Sequence, residues 1–173
     1  MLPEDLEKKL DEFTALPREV TGLLFYQPQN YPPRDQLCLI EGMFLTGVGT
    51  DEHVSQDARR FKVASEFLRR NPAYEIVEFH THTRDTIAQY GNHYARNFSG
   101  ADMDLIRENL RDNPNYIAML VTPEANLLHG SGELKYSTVK DSQTHRKMDP
   151  IIQTAMEKIA RNQGYELGTL RIQ

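Results

Sequence analysis

Apolar residues recur at helical spacing in four parts of the chain, and each part is bounded by residues that start or stop helices. The predicted helices cover residues 3–14, 54–70, 99–113 and 150–163. The second helix has the clearest apolar stripe, which consists of Val54, Ala58, Phe61, Ala64 and Leu68. This stripe predicts that the helix packs one face on a core and exposes the other.

Shorter runs rich in branched and aromatic residues predict strands between these helices. The strands cover residues 20–26, 36–45, 74–82 and 116–121, followed by a hairpin of residues 127–128 and 133–139 and a last strand at 165–172. The polar segment at 83–98 predicts a loop or a short mobile insert. Because helices and strands alternate and no repeat or linker divides the chain, the sequence predicts an α/β domain, with helices flanking a single mixed β-sheet.

Composition is that of an ordinary soluble globular protein of 173 residues, 39% hydrophobic and 26% charged. The net charge of −5 argues against a general affinity for nucleic acid or for an anionic membrane. No apolar run approaches the roughly 20 residues of a membrane helix, and the N-terminus lacks the pattern of a signal peptide. The only cysteine, Cys38, predicts a small core residue in a reducing compartment, so we expect a cytoplasmic protein.

Two histidines, His80 and His82, lie at the end of the predicted strand 74–82. Residues i and i+2 of a strand point to the same face, so the two imidazoles project side by side. Imidazole nitrogen is a common zinc ligand. The alternative is a pair of polar residues at a strand end, held by ordinary hydrogen bonds.

A serine and an aspartate, Ser99 and Asp102, open the predicted helix 99–113. Ser-x-x-Asp is typical of a capping box, and that structural explanation is compatible with a role in metal binding. The helix start would hold Asp102 rigidly near the metal and place Ser99 at the mouth of the site. Two histidines and one aspartate leave a fourth tetrahedral position for water, the pattern of a catalytic zinc site.

A third candidate lies far upstream, where Glu19 precedes the apolar strand 20–26. A zinc ion lowers the pKa of a bound water from about 15.7 to about 7. A nearby carboxylate could take that proton as general base and later give it to the leaving amine. The alternative for Glu19 is an exposed, solvated acid at the start of a strand. Gly22 within the strand would let the backbone pack closely against a neighbour.

Together these motifs resemble the JAMM (MPN-plus) metalloprotease family, whose pattern is an upstream Glu, then His-x-His, then Ser-x-x-Asp. The matching residues are Glu19, His80-Thr81-His82 and Ser99-Gly100-Ala101-Asp102. The resemblance covers roughly residues 5–135. It implies the MPN, or cytidine-deaminase-like, fold for a single domain over 1–173, with an insert at about 83–98 and a C-terminal helix–strand extension at about 149–173.

The resemblance also implies a zinc-dependent isopeptidase or peptidase. His80, His82 and Asp102 would bind Zn²⁺, Glu19 would be general base and then acid, and Ser99 would help to hold the oxyanion. Family members cut ubiquitin or ubiquitin-like proteins from lysine side chains, or trim small sulfur-carrier proteins. We therefore expect such a protein as substrate, while the residues leave the oligomeric state open, a homodimer included.

The sequence departs from the family pattern after His82. Thr83 stands where a proline is usual, and 16 residues separate His82 from Ser99, against roughly seven in the usual motif. The extra segment could be a flap over the site or a wall that narrows substrate choice. His93 within it could be a further ligand, could contact substrate, or could be an ordinary loop histidine.

Two other functions compete with the zinc peptidase. One is a non-catalytic scaffold of the same fold, although related scaffold domains lack the ligands that this chain keeps. The other is a PHP-type metal phosphoesterase, because residues 79–83 also resemble the first motif of that family. That family begins its chain with the motif and builds a larger barrel, whereas here the motif follows nearly 80 residues of other structure.

Overall fold

The structure is a computed structural model that describes residues 2–28, 39–49, 56–131, 137–138, 143–144 and 147–168. The helices in this part of the chain are α1 (Glu4–Thr14), α2 (Ala58–Arg70), α3 (Arg84–Tyr90), α4 (Gly100–Asp112) and α5 (Pro150–Asn162), with a short 3-10 helix at Asn92–Ala95. The strands are β1 (Leu2–Pro3), β2 (Val20–Tyr26), β3 (Ile40–Val48), β4 (Glu75–Thr81), β5 (Ile117–Val121), β6 (Asn126–Gly130), β7 (Ser137–Thr138) and β8 (Gln143–Thr144).

The central sheet has the strand order β3-β2-β4-β5-β6-β7, in which β7 contributes two residues. Its β4–β5 pair is parallel, whereas its other neighbours pair antiparallel. A separate parallel pair joins β1 to β8. The predicted fold class, one mixed sheet flanked by helices, is therefore confirmed for the described residues.

Helices cover both faces of this sheet. On one face, α1 buries Leu6, Leu10 and Phe13 against alternate residues of the central strands. On the other face, α2 and α5 pack over β2 and β3, while α4 packs over β5 and β6. The second face thus has two separate groups of helices, and β4 lies beneath the boundary between them.

The predicted helices at 3–14, 99–113 and 150–163 are confirmed as α1, α4 and α5. The predicted apolar stripe of the 54–70 helix is partly wrong. Within α2, Val63, Ala64 and Phe67 are the buried residues, whereas Phe61 is 41% exposed. Each residue turns the chain by about 100° around the helix axis, so Phe61 lies to one side of the face that Val63, Ala64 and Phe67 form. The helix begins after its cap at Asp57, and the predicted Val54 lies outside the described residues.

The polar segment at 83–98 differs from the predicted loop, because it contains α3 and the 3-10 helix. Thr83 caps α3 by accepting the backbone N–H of Thr86 at 3.1 Å. Short capped helices of this kind show no long apolar stripe, which is why periodicity missed them.

The predicted last strand at 165–172 is not seen over 165–168, which have no regular secondary structure, and the remainder lies outside the described residues. Cys38 and the predicted first residues of the 36–45 strand also lie outside them. None of the helices in the described ranges has the length and apolar character needed to cross a membrane.

Gly22 of β2 offers a test of the packing beside the site. A Cβ atom there would lie 2.7 Å from the backbone oxygen of Phe44 and 2.7 Å from the ring of Phe79. We expect Gly22→Ala to lower the free energy of unfolding by about 1–3 kcal/mol, because the sheet cannot yield to the added methyl group. Urea denaturation measures this, with Gly100→Ala as the control, since a Cβ at Gly100 meets no atom within 4 Å. Equal stability of the two variants would contradict the prediction.

Candidate metal centre

His80 and His82 stand at the carboxyl end of β4. His80 is on the strand, and the backbone N–H of His82 donates to the carbonyl of Val121 at 2.9 Å, so the neighbouring β5 continues to hold the chain there. The two imidazole ring centroids are 5.3 Å apart. The two-residue spacing has therefore placed the rings on the same side of the sheet, as the sequence predicted.

Asp102 reaches the histidines from the first turn of α4. Its backbone N–H donates to Oγ of Ser99 at 3.1 Å, and its Oδ2 accepts the backbone N–H of Ser99 at 2.7 Å. This is the predicted capping box. Oδ1 of the same carboxylate lies 3.3 Å from Nε2 of His80, and Oδ2 lies 3.6 Å from Nε2 of His82. The cap therefore fixes the carboxylate between the two rings.

The spacing of the three side chains suits a metal ion. One donor atom from each of His80, His82 and Asp102 lies within 4.8 Å of the others, and this is the group of possible metal ligands in the described part of the chain. Donor atoms at about 2.0–2.1 Å from a tetrahedral ion are about 3.3 Å apart. The distances from the two Nε2 atoms to the nearest oxygens of the Asp102 carboxylate, 3.3 and 3.6 Å, are close to that value.

A second observation points the same way. Nε2 of His80 is buried and has no hydrogen-bond partner, because its approach to Asp102 does not have hydrogen-bond geometry. A buried polar atom without a partner costs free energy. A cation bound between the rings would satisfy that nitrogen. The residues present therefore fit a divalent metal ion.

His82 is held in the tautomer that metal binding needs. Its Nδ1 lies 2.9 Å from the carbonyl oxygen of Tyr94. A carbonyl can only accept, so Nδ1 carries a proton, and in the neutral ring Nε2, which faces Asp102, presents its lone pair. The Tyr94 ring also packs against the imidazole, with centroids 5.3 Å apart.

Glu19 lies just before β2 and is 9% exposed, so the alternative of a solvated acid is wrong. Its Oε1 accepts a hydrogen bond from the hydroxyl of Thr86 at 3.1 Å. Burial raises the pKa of the Glu19 carboxyl, against the opposing charges of His82 and His80. A carboxylate whose pKa is moved toward neutrality is suited to take up and release a proton.

We call the three possible ligands, His80, His82 and Asp102, the metal-binding group. The charges of its members shift one another's pKa values. Burial disfavours ionisation of Asp102, but the neighbouring His80 and His82 outweigh it, and the pKa of Asp102 lies below its ordinary value. Burial likewise disfavours charge on His80, yet the adjacent Asp102 carboxylate raises the pKa of that imidazole above its ordinary value. A single ionised carboxylate therefore sits between two rings, where a cation would be attracted.

All five residues predicted from the sequence line one cavity of about 810 Å³: Glu19, His80, His82, Ser99 and Asp102. The Oγ of Ser99 accepts the Asp102 N–H and keeps its own proton as a donor. The structure thus brings together residues from the start of β2, the end of β4 and the start of α4.

The 83–98 segment, for which a flap or a wall at the site was predicted, contributes Thr86 and Tyr94 to the cavity. Glu78 of β4 also lines the cavity and was not predicted from the sequence. Glu78 accepts hydrogen bonds from the hydroxyl of Tyr116, at 2.9 Å, and from the side chain of Gln56. The two-residue period of β4 was the available signal for Glu78, because it points to the same face as His80.

The remaining histidines have no place in this group. His93 is exposed and lies beside the side-chain amide of Asn97, which donates to its backbone carbonyl at 3.0 Å. The His129 ring lies 6.1 Å from that of Phe98. The structure places His93 apart from the possible metal ligands among the described residues, and contact of His93 with a substrate stays a prediction. His53 and His145 lie outside the described residues.

No protein-family model matches this chain, and no curated protein matches it significantly. The class that the coordinates define is an α/β protein with a mixed sheet and a His-His-Asp group able to bind a metal ion. The resemblance to the JAMM family therefore depends on the motifs alone.

The assignment of His82 as a ligand leads to a direct test. We expect His82→Ala to lose most bound divalent metal, because one of three protein ligands is removed. Metal analysis of the purified protein measures the change. His93→Ala is the matched control, since that histidine lies outside the metal-binding group. Equal metal content in the parent protein and the His82→Ala variant would reject His82 as a ligand.

Proposed function

We propose that this protein is a zinc-dependent peptidase or isopeptidase of the JAMM type. Its substrate is a ubiquitin-like or sulfur-carrier protein, and the bond it hydrolyses is the peptide or isopeptide bond after the C-terminal tail. The observation that carries the proposal is the meeting of His80, His82 and Asp102 with Glu19 in one cavity.

The donor set supports zinc. Two imidazoles and one carboxylate provide three ligands, and a site with three protein ligands keeps a fourth position open, as catalytic zinc sites do. The proton on Nδ1 of His82, directed to the Tyr94 carbonyl, is the outer-sphere contact that such ligands usually make. Zinc, when bound, acidifies a coordinated water and polarises a carbonyl group.

Glu19 provides the proton transfer. Its carboxylate is buried beside the metal-binding group, and the Thr86 hydroxyl holds one of its oxygens. It accepts a proton from the attacking water and delivers it to the nitrogen of the leaving amine, so the carboxylate is regenerated at the end of the cycle. The raised pKa caused by burial brings this group closer to the pH at which both transfers are efficient.

Ser99 provides a hydrogen bond to the substrate. Its oxygen already accepts the Asp102 N–H, which fixes the position of the hydroxyl at the start of α4. The hydroxyl proton can then be donated to the substrate carbonyl oxygen as negative charge builds up there. Such an interaction contributes most to the rate when it is positioned before the reaction begins.

The cavity favours a peptide over a phosphoester. Among the described residues that line it, Glu19, Glu78 and Asp102 carry carboxylates and none is a lysine or arginine. A PHP-type phosphoesterase would use several metal ions to bind the phosphate, whereas the described residues offer one group of possible metal ligands. Three apolar or aromatic side chains at the cavity, Phe61, Leu105 and Tyr90, are 41%, 53% and 42% exposed. Exposed apolar groups beside a cleft are typical of protein-binding surfaces.

A non-catalytic scaffold explains the site less well. Burying a carboxylate costs free energy unless it is compensated, and Glu19 is buried beside a group that can hold a metal ion without being one of its possible ligands. This arrangement has a use in proton transfer and none in passive docking.

The central test is Glu19→Gln. We expect the variant to bind zinc as the parent does and to lose at least about a hundredfold in kcat, because only the proton transfer is removed. Metal analysis and hydrolysis of a ubiquitin-fold protein with a C-terminal peptide extension measure the two properties. Parent-like turnover in Glu19→Gln would end the assignment of Glu19.

A second test separates the competing functions. We expect hydrolysis of the extended ubiquitin-fold protein to stop when a chelator removes the metal and to return when zinc is added. The phosphomonoester 4-nitrophenyl phosphate should not be hydrolysed under the same conditions. Phosphoester turnover with several metal ions per chain would instead support the PHP-type reading, and zinc binding without any peptidase activity would support the scaffold.

A further inference from the structure

The segment between His82 and Ser99 contacts the proposed site at two residues, Glu19 and His82. Its first helix, α3, places Thr86 against the Glu19 carboxylate at 3.1 Å. Its 3-10 helix places the Tyr94 carbonyl against Nδ1 of His82 at 2.9 Å. The base and one ligand of the proposed enzyme therefore both depend on residues of this segment for their orientation.

The contact with Glu19 has a defined direction. An ionised carboxylate can only accept, so the Thr86 hydroxyl donates its single proton to Oε1 of Glu19. The Thr83 and Thr86 hydroxyl oxygens are 3.1 Å apart, and because the Thr86 proton is already used, Thr83 is the donor of that pair. Thr83 also accepts the Thr86 backbone N–H. The result is a chain of hydrogen bonds that runs from Thr83 through Thr86 to Glu19.

All three residues of this hydrogen-bond chain are buried. In such surroundings each hydrogen bond polarises the next and fixes its geometry more firmly than a single exposed bond would. The N-cap of α3 immobilises both threonines, because the bond that starts the helix is also the bond that orients Thr86. The Glu19 side chain is consequently held by a folded element and not by solvent.

We infer that Thr86 is a positioning residue for Glu19, supported by Thr83, and that the 83–98 segment is part of the catalytic apparatus and not only a cover over it. This role rests on the proposed function, because it gives Thr86 its effect through the base. Thr86 touches neither the substrate nor the metal ligands in this assignment. It sets which direction the Glu19 carboxylate faces.

Removing the Thr86 hydroxyl tests the role in catalysis. With the extended ubiquitin-fold substrate, we expect Thr86→Val to lower kcat about tenfold, the effect of roughly 1.4 kcal/mol, while KM and zinc content stay at parent values. Thr86→Ser keeps the hydroxyl and should restore kcat. In a Glu19→Gln background, Thr86→Val should cause no further loss, because the group it orients no longer transfers protons.

A readout without substrate or metal tests the contact itself. In zinc-free protein, Thr86→Val leaves a buried carboxylate oxygen without its donor and should lower the urea midpoint. In a Glu19→Ala background the same change should shift the midpoint by less than half as much, since the acceptor is gone. Thr154→Val is the matched control, because that hydroxyl bonds only to its own helix at the Pro150 carbonyl.

The outcomes separate the two proposals. Parent-like kcat in Thr86→Val, or an equal loss of kcat in the Glu19→Gln background, would overturn the positioning role. Equal midpoint shifts with and without Glu19 would overturn the contact. If the parent protein hydrolyses no such substrate while the midpoint shifts remain coupled, the proposed function fails and the hydrogen bond between Thr86 and Glu19 still holds.

Discussion

The alternation of side chains along β4 is the constraint on which the site depends. Val77, Phe79 and Thr81 are buried on the face that α1 covers, so the residues between them must point to the opposite face. On that face the helices form two groups, and β4 lies at their boundary. Glu78 and His80 therefore face a cavity and not a core. A shift of one residue in the pairing of β4 would bury both.

Two capped helix starts complete the site from the other side. In α4 the third residue after the Ser99 cap is Asp102, which turns to the histidines; in α3 the third residue after the Thr83 cap is Thr86, which turns to Glu19. Capping is worth about 1 kcal/mol by itself. Here the same hydrogen bonds also fix the direction of side chains that face the cavity. The same hydrogen bonds therefore stabilise the two helix starts and fix the geometry of the site.

The sequence could predict those parts of the site that have a local pattern, and it could not predict contacts between distant residues. The buried face of β4, the helix start at Ser99 and the strand after Glu19 each have a local sequence pattern, so these elements could be predicted from the sequence. Thr86 could not be assigned this way, because a Thr-x-x-Thr cap is common and its target lies 67 residues away along the chain. The spacing of Phe61 fits an apolar stripe and predicted a core position, whereas the buried face of α2 is centred on Val63, Ala64 and Phe67 and leaves Phe61 at the cavity.

The long separation between His82 and Ser99 has a modest thermodynamic cost. Lengthening a flexible connection from about 7 to about 16 residues adds only about 0.7 kcal/mol of closure entropy, and α3 with the 3-10 helix replaces part of that flexible chain by ordered structure. The hydrogen bonds to Glu19 and His82 offset the remainder. A connection of this length therefore need not loosen the arrangement at the end of β4. Because its residues contact both Glu19 and His82, they can fix the positions of these two side chains.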